Sequence, residues 1–396
     1  MTNQNDKFPM SAKTSFGFED LLVEELNNVG ATNLKKGTRI VHFEGNLETM
    51  YRANLYSRLA LRILKPIKTF PAGNEQQLYD EIKKIDWSEY LTEKDSLAVD
   101  AVTSYSTLTH TLYISLKTKD AIVDQFRDKT GERPNVDLRF PKVRINIHIH
   151  QNVASVSLDS SGDSLHKRGY RSQQGEAPLN ETLGAGMIML SKWDRASNFT
   201  DLMCGSGTLV IEAAMMARNI APGIFRNEFG FERWNDYNAE LWKSLLDEAK
   251  QNEKPKIDFT ITGIDKSHQA IRNATENAKE AGVLNDIDFH AMPFEDYTPK
   301  EPVQTIVTNP PYGGRITDDD LFRLYKNIGD QLKSKYSGST AWVLTANKDA
   351  AKNIGLHSTA KIQLYNGALE CRMLKYELYR GTKKIHKIKD DSNEAV

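Results

Sequence analysis

The fold is decided by FTDLMCGSGTLVIEAAMMAR, residues 199–218. The stretch opens with a short apolar strand at Phe199–Leu202, turns at two glycines, and continues as an apolar helix over Thr208–Arg218. Glycines in such a turn let the backbone approach a ligand closely, and the first amides of the helix are free to bind it. The order of strand, glycine-rich turn and helix predicts a ligand-binding loop in an α/β sheet.

Two common phosphate-binding loops do not match this stretch. A dinucleotide loop has the pattern GxGxxG, but Val210 stands where its third glycine belongs. The acidic residue that such a loop places about 20 residues later is also missing. A P-loop needs a lysine, which this turn lacks. What remains is a Gly-Ser-Gly turn with Asp201 at the end of the preceding strand.

The rest of the C-terminal half alternates between strands and helices. Strands are predicted at Phe259–Ile264, Thr305–Thr308 and Thr340–Thr345, with helices at His268–Ala281 and Asp319–Tyr336. This alternation predicts a Rossmann-like, doubly wound and mostly parallel sheet with right-handed crossovers.

Two of these strands end in residues that suit a ligand. Asp265 closes GID at the end of the second strand, where a carboxylate can hold a ribose diol; capping of the next helix is the alternative. Asn309-Pro310-Pro311-Tyr312 follows the strand TIVT. The prolines stiffen this turn, so that the Asn309 side chain and the Pro310 carbonyl converge as acceptors for an exocyclic amine. Tyr312 offers a face on which a base can stack.

The N-terminal half predicts an α+β domain. Its clearest element is KVRINIHIHQ, residues 142–151, whose isoleucines alternate with Arg144, Asn146, His148 and His150. Further helices are predicted over Lys13–Gly30, Leu47–Leu61 and Leu78–Ile85, and further strands at Arg39–Phe43, Leu97–Val102, Leu112–Ile114 and Val153–Leu158. His148 and His150 have no evident third partner for a metal, so we expect no metal site.

Composition excludes several classes of protein. The 396 residues carry a formal net charge of −1, which does not fit a protein that covers nucleic acid with bulk positive charge. The two cysteines make no disulfide framework, and neither a secretory signal nor a membrane-spanning run is evident. We therefore expect a cytoplasmic protein without a membrane partner or an obligate protein partner.

Several longer phrases together resemble one family. DLMCGSGTLVIEAA, GIDKS and NPPYGGR resemble motifs of class I S-adenosylmethionine-dependent methyltransferases that act on amino groups. SGDSLHKRGYR, APLNETL, RNIAPG and DAIVDQF…RPNV are similar to bacterial 23S rRNA guanine-N2 methyltransferases with an N-terminal THUMP domain. This resemblance extends from about Lys13 to Arg380 and implies a C-terminal methyltransferase domain and an N-terminal THUMP-containing RNA-binding domain.

The resemblance also implies site residues. S-adenosylmethionine would be bound by three groups of residues: Asn180, Glu181 and Thr182; Asp201, Cys204, Gly205, Ser206, Gly207 and Thr208; and Asp265. Asn309 to Tyr312 would hold the target amine. The loop after the third strand lacks an acidic residue at the strand end, so that Asp296 or a backbone group is expected at the adenine amine. Arg218–Lys256 is expected to be a helical insertion that helps to shape the substrate side.

RNA contacts are expected from local cations. The run Arg127–Arg144 holds six cations against three acids. Arg144, Lys167, Arg168, Tyr170 and Arg171 are the predicted RNA-binding residues, although a solvated face or packing under the linker would also account for them. Cys204 as a methylation nucleophile is disfavoured, because it lies in the cofactor loop.

The predicted organisation has an α+β region at 1–160, a linker at 161–176, a methyltransferase domain at 177–382 and a disordered tail at 383–396. The predicted activity is methyl transfer from S-adenosylmethionine to an exocyclic amine of a base, most favourably guanine N2 in 23S rRNA or a ribosomal precursor. Adenine-N6 methylation of nucleic acid and a non-catalytic role in RNA binding or ribosome assembly are the alternatives.

Overall fold

The computed structural model describes residues 6–171, 179–313 and 317–379. The helices are α1 (Glu19–Asn28), α2 (Leu47–Tyr56), α3 (Glu75–Lys83), α4 (Thr111–Thr130), α5 (Glu181–Ser191), α6 (Thr208–Ala217), α7 (Ala239–Gln251), α8 (His268–Glu280), α9 (Asp318–Lys335) and α10 (Lys348–Lys352). The strands are β1 (Phe8–Thr14), β2 (Thr32–Gly37), β3 (Ile40–Gly45), β4 (Ala60–Pro71), β5 (Ser96–Ser104), β6 (Asn135–Val136), β7 (Val143–His150), β8 (Val153–Asp159), β9 (Phe199–Asp201), β10 (Ile261–Asp265), β11 (Ile287–Ala291), β12 (Thr305–Thr308), β13 (Thr340–Thr345), β14 (Ala360–Asn366) and β15 (Leu369–Glu377).

The chain forms two compact units, each with its own sheet. Unit 1 comprises residues 1–14, 18–168 and 221–251, and unit 2 comprises residues 15–17, 169–220 and 252–396. The helix α7 therefore belongs to unit 1, although in sequence it lies between α6 and β10. Some residues in these ranges, including the tail predicted at 383–396, lie outside the described residues.

Unit 1 is an α+β structure around an eight-stranded sheet of order β2-β3-β1-β4-β8-β7-β5-β6. In β7 the side chains of Ile145, Ile147 and Ile149 are fully buried, so the predicted alternation is confirmed. The turn to β8 is made by Gln151 and Asn152, whose φ values of +48° and +59° suit a tight hairpin turn.

Unit 2 has a seven-stranded sheet of order β11-β10-β9-β12-β13-β15-β14. The first five strands in that order pair in parallel, and β15 pairs antiparallel with both β13 and β14. Buried residues of these strands and of α9, among them Ile264, Ile306, Tyr325, Ile328 and Val343, pack into one core. The predicted doubly wound sheet is confirmed, with β12 and β13 at the predicted bounds.

Three predicted elements of unit 1 are wrong in type or length. Leu112–Ile114 was predicted as a strand but lies in α4, whose buried residues recur at helical spacing. The helix predicted over Leu47–Leu61 ends at Tyr56, and β4 begins at Ala60. The helix predicted from Lys13 begins only at Glu19, because Phe8–Thr14 pairs as a strand with both β3 and β4.

The segment predicted as a linker is packed where the structure describes it. Ser161 is fully buried, and the Arg226 guanidinium donates hydrogen bonds to the carbonyls of Ser161, Asp163, Ser164 and Lys167. Arg226 comes from the predicted insertion Arg218–Lys256. Its residues 221–251 belong to unit 1, and the expectation that this segment helps to shape the substrate side stays a prediction. No helix in the described ranges is long and apolar enough to cross a membrane.

Candidate active site

The candidate site lies at the carboxyl ends of the parallel strands of unit 2. β9 has β10 on one side and β12 on the other, so the strand order reverses at β9. Helices that follow strands on either side of such a reversal leave a crevice between them, which is the usual ligand site of a doubly wound sheet. A cavity of about 780 Å³ opens there, within the usual size range of small-molecule sites.

The cavity is lined by the ends of all three central strands and by the tip of a hairpin. Its lining residues are Leu179, Asp201, Leu202, Met203, Cys204, Gly205, Ser206, Thr208, Leu209, Asp265, Lys266, Ala270, Asn273, Pro293, Phe294, Glu295, Asn309, Pro310, Pro311, Tyr312, Gly313, Leu324, Asn366 and Leu369.

The two glycines of the loop after β9 have different structural roles. Gly205 has a φ of +54°, lines the cavity and has open space where a Cβ would lie. Gly207 has a φ of +88°, and a Cβ there would lie 3.0 Å from the Cβ of Ala274 in α8. Gly205 therefore leaves room for a ligand, whereas Gly207 allows α6 and α8 to pack closely.

Asp201 is a buried carboxylate that ties two strand ends together. The Thr308 hydroxyl donates to its Oδ1 at 2.7 Å, and the Met203 amide donates to the same atom at 3.1 Å. Burial raises the pKa of Asp201 to about 7, although both hydrogen bonds favour the charged form. The carboxylate thus links the glycine loop to the strand that precedes Asn309.

Asp265 is held by backbone amides on both oxygens. The Gly205 amide donates to Oδ2 at 3.0 Å and the Ser267 amide donates to Oδ1 at 2.8 Å. The cap of α8 is Ser267, whose hydroxyl oxygen accepts from the Ala270 amide, so Asp265 is not the capping residue. Each carboxylate oxygen keeps a lone pair that suits a diol hydroxyl.

Asn309 carries the sharpest chemical feature of the cavity. Its side-chain oxygen Oδ1 is buried and accepts no hydrogen bond from any residue that the structure describes. A buried acceptor without a donor costs about 1–3 kcal/mol, so a ligand that supplies an N–H at this point gains that energy. Tyr312, three residues on, accepts a hydrogen bond at 2.6 Å from the amide of Asn366. Pro310 is buried and Pro311 is exposed, and both line the cavity.

Five residues predicted to bind the cofactor do not line the cavity, and one of them is Gly207, which packs against α8 as described above. The Asn180 side chain caps α5 by accepting from the amides of Thr182 and Leu183. Glu181 lies 2.9 Å from the guanidinium of Arg171, and Thr182 is fully buried. Asp296 is exposed beside Glu295, and it is Glu295 that lines the cavity.

Three residues predicted to bind RNA are buried or engaged inside their own units. Arg168 is 2% exposed and donates to the carbonyls of Arg58 and Leu165, and Tyr170 is 1% exposed and donates to Glu212. Arg171 donates to the Thr208 hydroxyl at 2.7 Å and to the Leu179 carbonyl at 3.2 Å. Because RNA cannot reach side chains packed in this way, these three predictions are wrong.

The two other RNA candidates remain accessible to different degrees. The Lys167 side chain is 59% exposed and its ammonium lies 3.3 Å from Asp163. The Arg144 side chain is 11% exposed, pairs with Asp100 at 3.1 Å and donates to the Leu138 carbonyl at 2.6 Å. Both stay predictions, with Lys167 the more available to a phosphate.

Cys204 is a packing residue. Its side chain is buried, a Cβ on Gly263 would lie 3.2 Å from its Sγ, and burial raises the pKa of the thiol well above its ordinary value. A protonated, enclosed thiol is a poor nucleophile, which agrees with its rejection as one.

Arg171 has partners beside the cavity that the sequence did not indicate. It bridges the first residue of α6, the first residue of α5 and the Leu179 carbonyl. Leu179 and Thr208 both line the cavity, so Arg171 stabilises the wall of the cavity through its hydrogen bonds to them. Asn366 and Leu369 were missed altogether, because their contribution depends on the pairing of β14 with β15.

Family models match nearly the whole chain. A model described as RMKL-like, methyltransferase domain matches residues 168–375, which is more than half of the chain. A THUMP domain matches residues 72–159, and an RlmL ferredoxin-like domain matches residues 10–64.

Curated relatives agree with these models. A ribosomal RNA large subunit methyltransferase K/L of Syntrophotalea carbinolica is 42% identical over 91% of the chain and 52% of its own length. A protein of Synechocystis sp. named "Putative RNA methyltransferase" is 41% identical over 94% of the chain and 97% of its own length. The chain thus spans about half the length of the K/L relatives and nearly all of the Synechocystis protein.

Solved structures show the same architecture. A "putative methyltransferase complexed with SAH" is 30% identical with a TM-score of 0.85, over 95% of this chain and 99% of that one. A "predicted N6-adenine-specific DNA methylase" from Listeria monocytogenes is 29% identical with a TM-score of 0.83, over 94% of this chain and 97% of that one.

Proposed function

The chain belongs to the THUMP-containing, S-adenosylmethionine-dependent RNA methyltransferases of the RMKL-like family, and we propose that it methylates guanine N2 in 23S rRNA. The observation that carries the proposal is the buried, unpartnered Oδ1 of Asn309 at the edge of the cavity. An exocyclic amine has two N–H donors, and Asn309 Oδ1 accepts one of them.

The residues of the cavity fit the methyl donor. Asp265 has lone pairs free for a ribose diol, and the open space at Gly205 lets the donor lie against the backbone. When bound, S-adenosylmethionine supplies a methyl group on a positively charged sulfonium. The carboxylate of Asp265 suits the hydroxyls of the donor's ribose, and the amides at the N-terminus of a helix such as α6 suit its polar groups.

The chain's own contribution to the reaction is positioning. Asn309 Oδ1 and the Pro310 carbonyl each accept an N–H of the target amine and thereby turn its nitrogen lone pair towards the methyl group. Tyr312 stacks on the base, which must leave its helix to reach the cavity. Holding the two reacting atoms in line supplies most of the acceleration, and the proton lost from the amine passes to solvent.

We assign RNA recognition to unit 1. The THUMP domain of residues 72–159 belongs to that unit, and Lys167 is an exposed cation close behind it in sequence. A ribosomal precursor and mature 23S rRNA are both compatible with this assignment. A cytoplasmic location is part of the proposal, because it follows from a ribosomal substrate.

Adenine N6 is the second candidate target. Both purine amines present two N–H groups, so Asn309 and Tyr312 serve either, and the Listeria protein carries the name of an adenine methylase. The names of the K/L relatives support ribosomal RNA as the substrate, and the guanine assignment rests on the sequence resemblance given above.

The test is transfer of a labelled methyl group to ribosomal RNA, followed by mass spectrometry of the nucleosides. We expect N2-methylguanosine from the wild-type chain; N6-methyladenosine would replace the guanine assignment by the adenine one. Asn309→Ala is expected to abolish transfer while the calorimetric affinity for S-adenosylmethionine stays nearly intact. Loss of that affinity would contradict the role given to Asn309.

A matched control shows whether the loss of transfer depends on Asn309 itself or follows any asparagine-to-alanine change. Asn353 is exposed, its side-chain amide donates to the Asp349 carbonyl in α10, and it does not line the cavity. Asn353→Ala should therefore keep full transfer. Failure of the wild-type chain to bind S-adenosylmethionine would instead favour a non-catalytic RNA-binding or assembly role.

A further inference from the structure

The tip of the β14–β15 hairpin lies at the cavity. Asn366 ends β14 and Leu369 begins β15, and the two residues are directly opposite each other across the turn Gly367–Ala368. Gly367 has a φ of +62°, a left-handed value that favours glycine in a two-residue hairpin turn. Opposed residues of a hairpin share one face. Both side chains therefore reach the same wall of the cavity, which they line.

Asn366 fixes the hydroxyl end of the Tyr312 side chain by a hydrogen bond. Its amide nitrogen donates to the Tyr312 hydroxyl at 2.6 Å, across 54 positions of sequence. Burial raises the pKa of Tyr312, which keeps its side chain neutral, and the phenol oxygen accepts from the amide. The ring is thus fixed at its Cα by the stiff proline turn and at its hydroxyl by the hairpin. Its plane is set before a base arrives, and pre-set groups cost less to order on binding.

Leu369 adds apolar surface next to this ring. Its side chain is 48% exposed although it is large and apolar, and it lines the same cavity as Tyr312. Extruded bases are held by stacking between aromatic and apolar side chains, and an exposed leucine at the cavity supplies such a surface.

We propose that the turn Asn366–Leu369 is part of the subsite for the target base, in which Asn366 is the positioning residue for the Tyr312 ring and Leu369 packs against the extruded purine. The proposal rests on the proposed function, since it assumes that a base enters this cavity. It gives the hairpin tip a role in selecting a flat, unstacked base over a paired one.

The test is a double-mutant cycle on methyl transfer to ribosomal RNA at saturating S-adenosylmethionine. Asn366→Ala removes the donor, and Tyr312→Phe keeps the ring but removes the acceptor. Each single change should lower kcat/KM for RNA by about tenfold, the value of one well-formed hydrogen bond, and the double change should lower it no further. Leu369→Ala should raise KM for RNA and leave kcat unchanged. The calorimetric Kd for S-adenosylmethionine should be the same in these four variants as in the wild type.

The same hairpin offers a matched control pair. The Gln363 amide donates to the Tyr365 hydroxyl at 2.9 Å, and neither residue lines the cavity. Gln363→Ala and Tyr365→Phe remove the same kind of bond and should leave kcat/KM for RNA at the wild-type value. An equal loss in this pair would overturn the proposal, because the effect would then come from the hairpin as a whole.

The remaining outcomes separate this inference from the proposed function. If the wild-type chain transfers no methyl group to RNA, the proposed function itself is refuted. If the wild-type chain is active but the losses from Asn366→Ala and Tyr312→Phe add up, or are absent, the positioning role is refuted and the proposed function stands. A weaker affinity for S-adenosylmethionine in Asn366→Ala would also refute it, since the cofactor wall would have moved.

Discussion

Replacing Asp201 by asparagine should stabilise unit 2 at neutral and alkaline pH. Burial raises the pKa of this carboxyl from its ordinary 3.8 to about 7. Because the folded state then holds a proton that the unfolded chain releases, folding becomes less favourable as the pH rises from about 4 to about 7. The penalty is complete above pH 7. At 1.36 kcal/mol for each pH unit between the two values, it amounts to about 4 kcal/mol.

Asparagine keeps the oxygen that accepts from Thr308 and Met203 and removes the charge. Asp201→Asn should therefore raise the free energy of unfolding of unit 2 by up to about 4 kcal/mol at pH 8, or its Tm by roughly 10 °C, with no gain below pH 4. Hydrogen exchange of peptides from β9 and β12, measured without S-adenosylmethionine, reports this unit separately from unit 1.

Asp194 provides a control of opposite sign. It accepts from the Ala196 amide at 3.0 Å and from the Ser197 hydroxyl at 2.7 Å, and these bonds hold its pKa below the ordinary value. Its stabilising contribution is present above the ordinary pKa and is lost as the pH falls, so Asp194→Asn should destabilise at pH 8. If Asp201→Asn is no more stable than the wild type at pH 8 while Asp194→Asn behaves as expected, the reasoning from burial is refuted.

Three further predictions follow from packing. Arg171→Ala should weaken S-adenosylmethionine binding about tenfold in calorimetry, because the first turn of α6 loses its hydrogen bond from Arg171. Arg171→Lys should recover part of this loss. Equal affinity in the wild type and both variants would contradict the role of Arg171 in stabilising the cavity wall. Gly207→Ala should lower the Tm of unit 2 more than Gly282→Ala does, since both have positive φ but only Gly207 lacks room for a Cβ. Gly230→Ala should lower the free energy of unfolding of unit 1 by more than about 1 kcal/mol, because the new Cβ would lie 2.6 Å from the Asp159 carbonyl oxygen. Unchanged hydrogen-exchange protection of β8 would contradict this prediction.

The parallel strands of unit 2 could be predicted because each is a short apolar run between turn residues. Thr305–Thr308 and Thr340–Thr345 were placed at their exact bounds, and Asp201, Asp265 and Asn309 lie at the strand ends where such residues were expected to meet. Position at a strand end depends on local sequence, and the parallel sheet then brings all ends to one edge.

Contacts between distant segments account for what could not be predicted. Ile114, Thr118 and Ile122 are buried at helical spacing in α4, yet the first turn of that helix, read by itself, has the apolar composition of a strand. Arg171 lies among glycine, serine and charged neighbours that suggest a surface, and only the fold shows the partners it meets. Asn366 reaches Tyr312 through strand pairing that no local pattern encodes.

The assignment of residues 221–251 to unit 1 bears on how the protein is made and on how it can be divided. Unit 1 is discontinuous in sequence, so on the ribosome it stays incomplete until the chain has been synthesised beyond α6 and through α7. The pair formed by β9 and α6 of unit 2 must therefore leave the exit tunnel before unit 1 can complete its fold. A fragment cut after Arg168 would lack Arg226, whose guanidinium binds four carbonyls of the residues just before the cut. The gene therefore has no single point at which the two units can be separated intact.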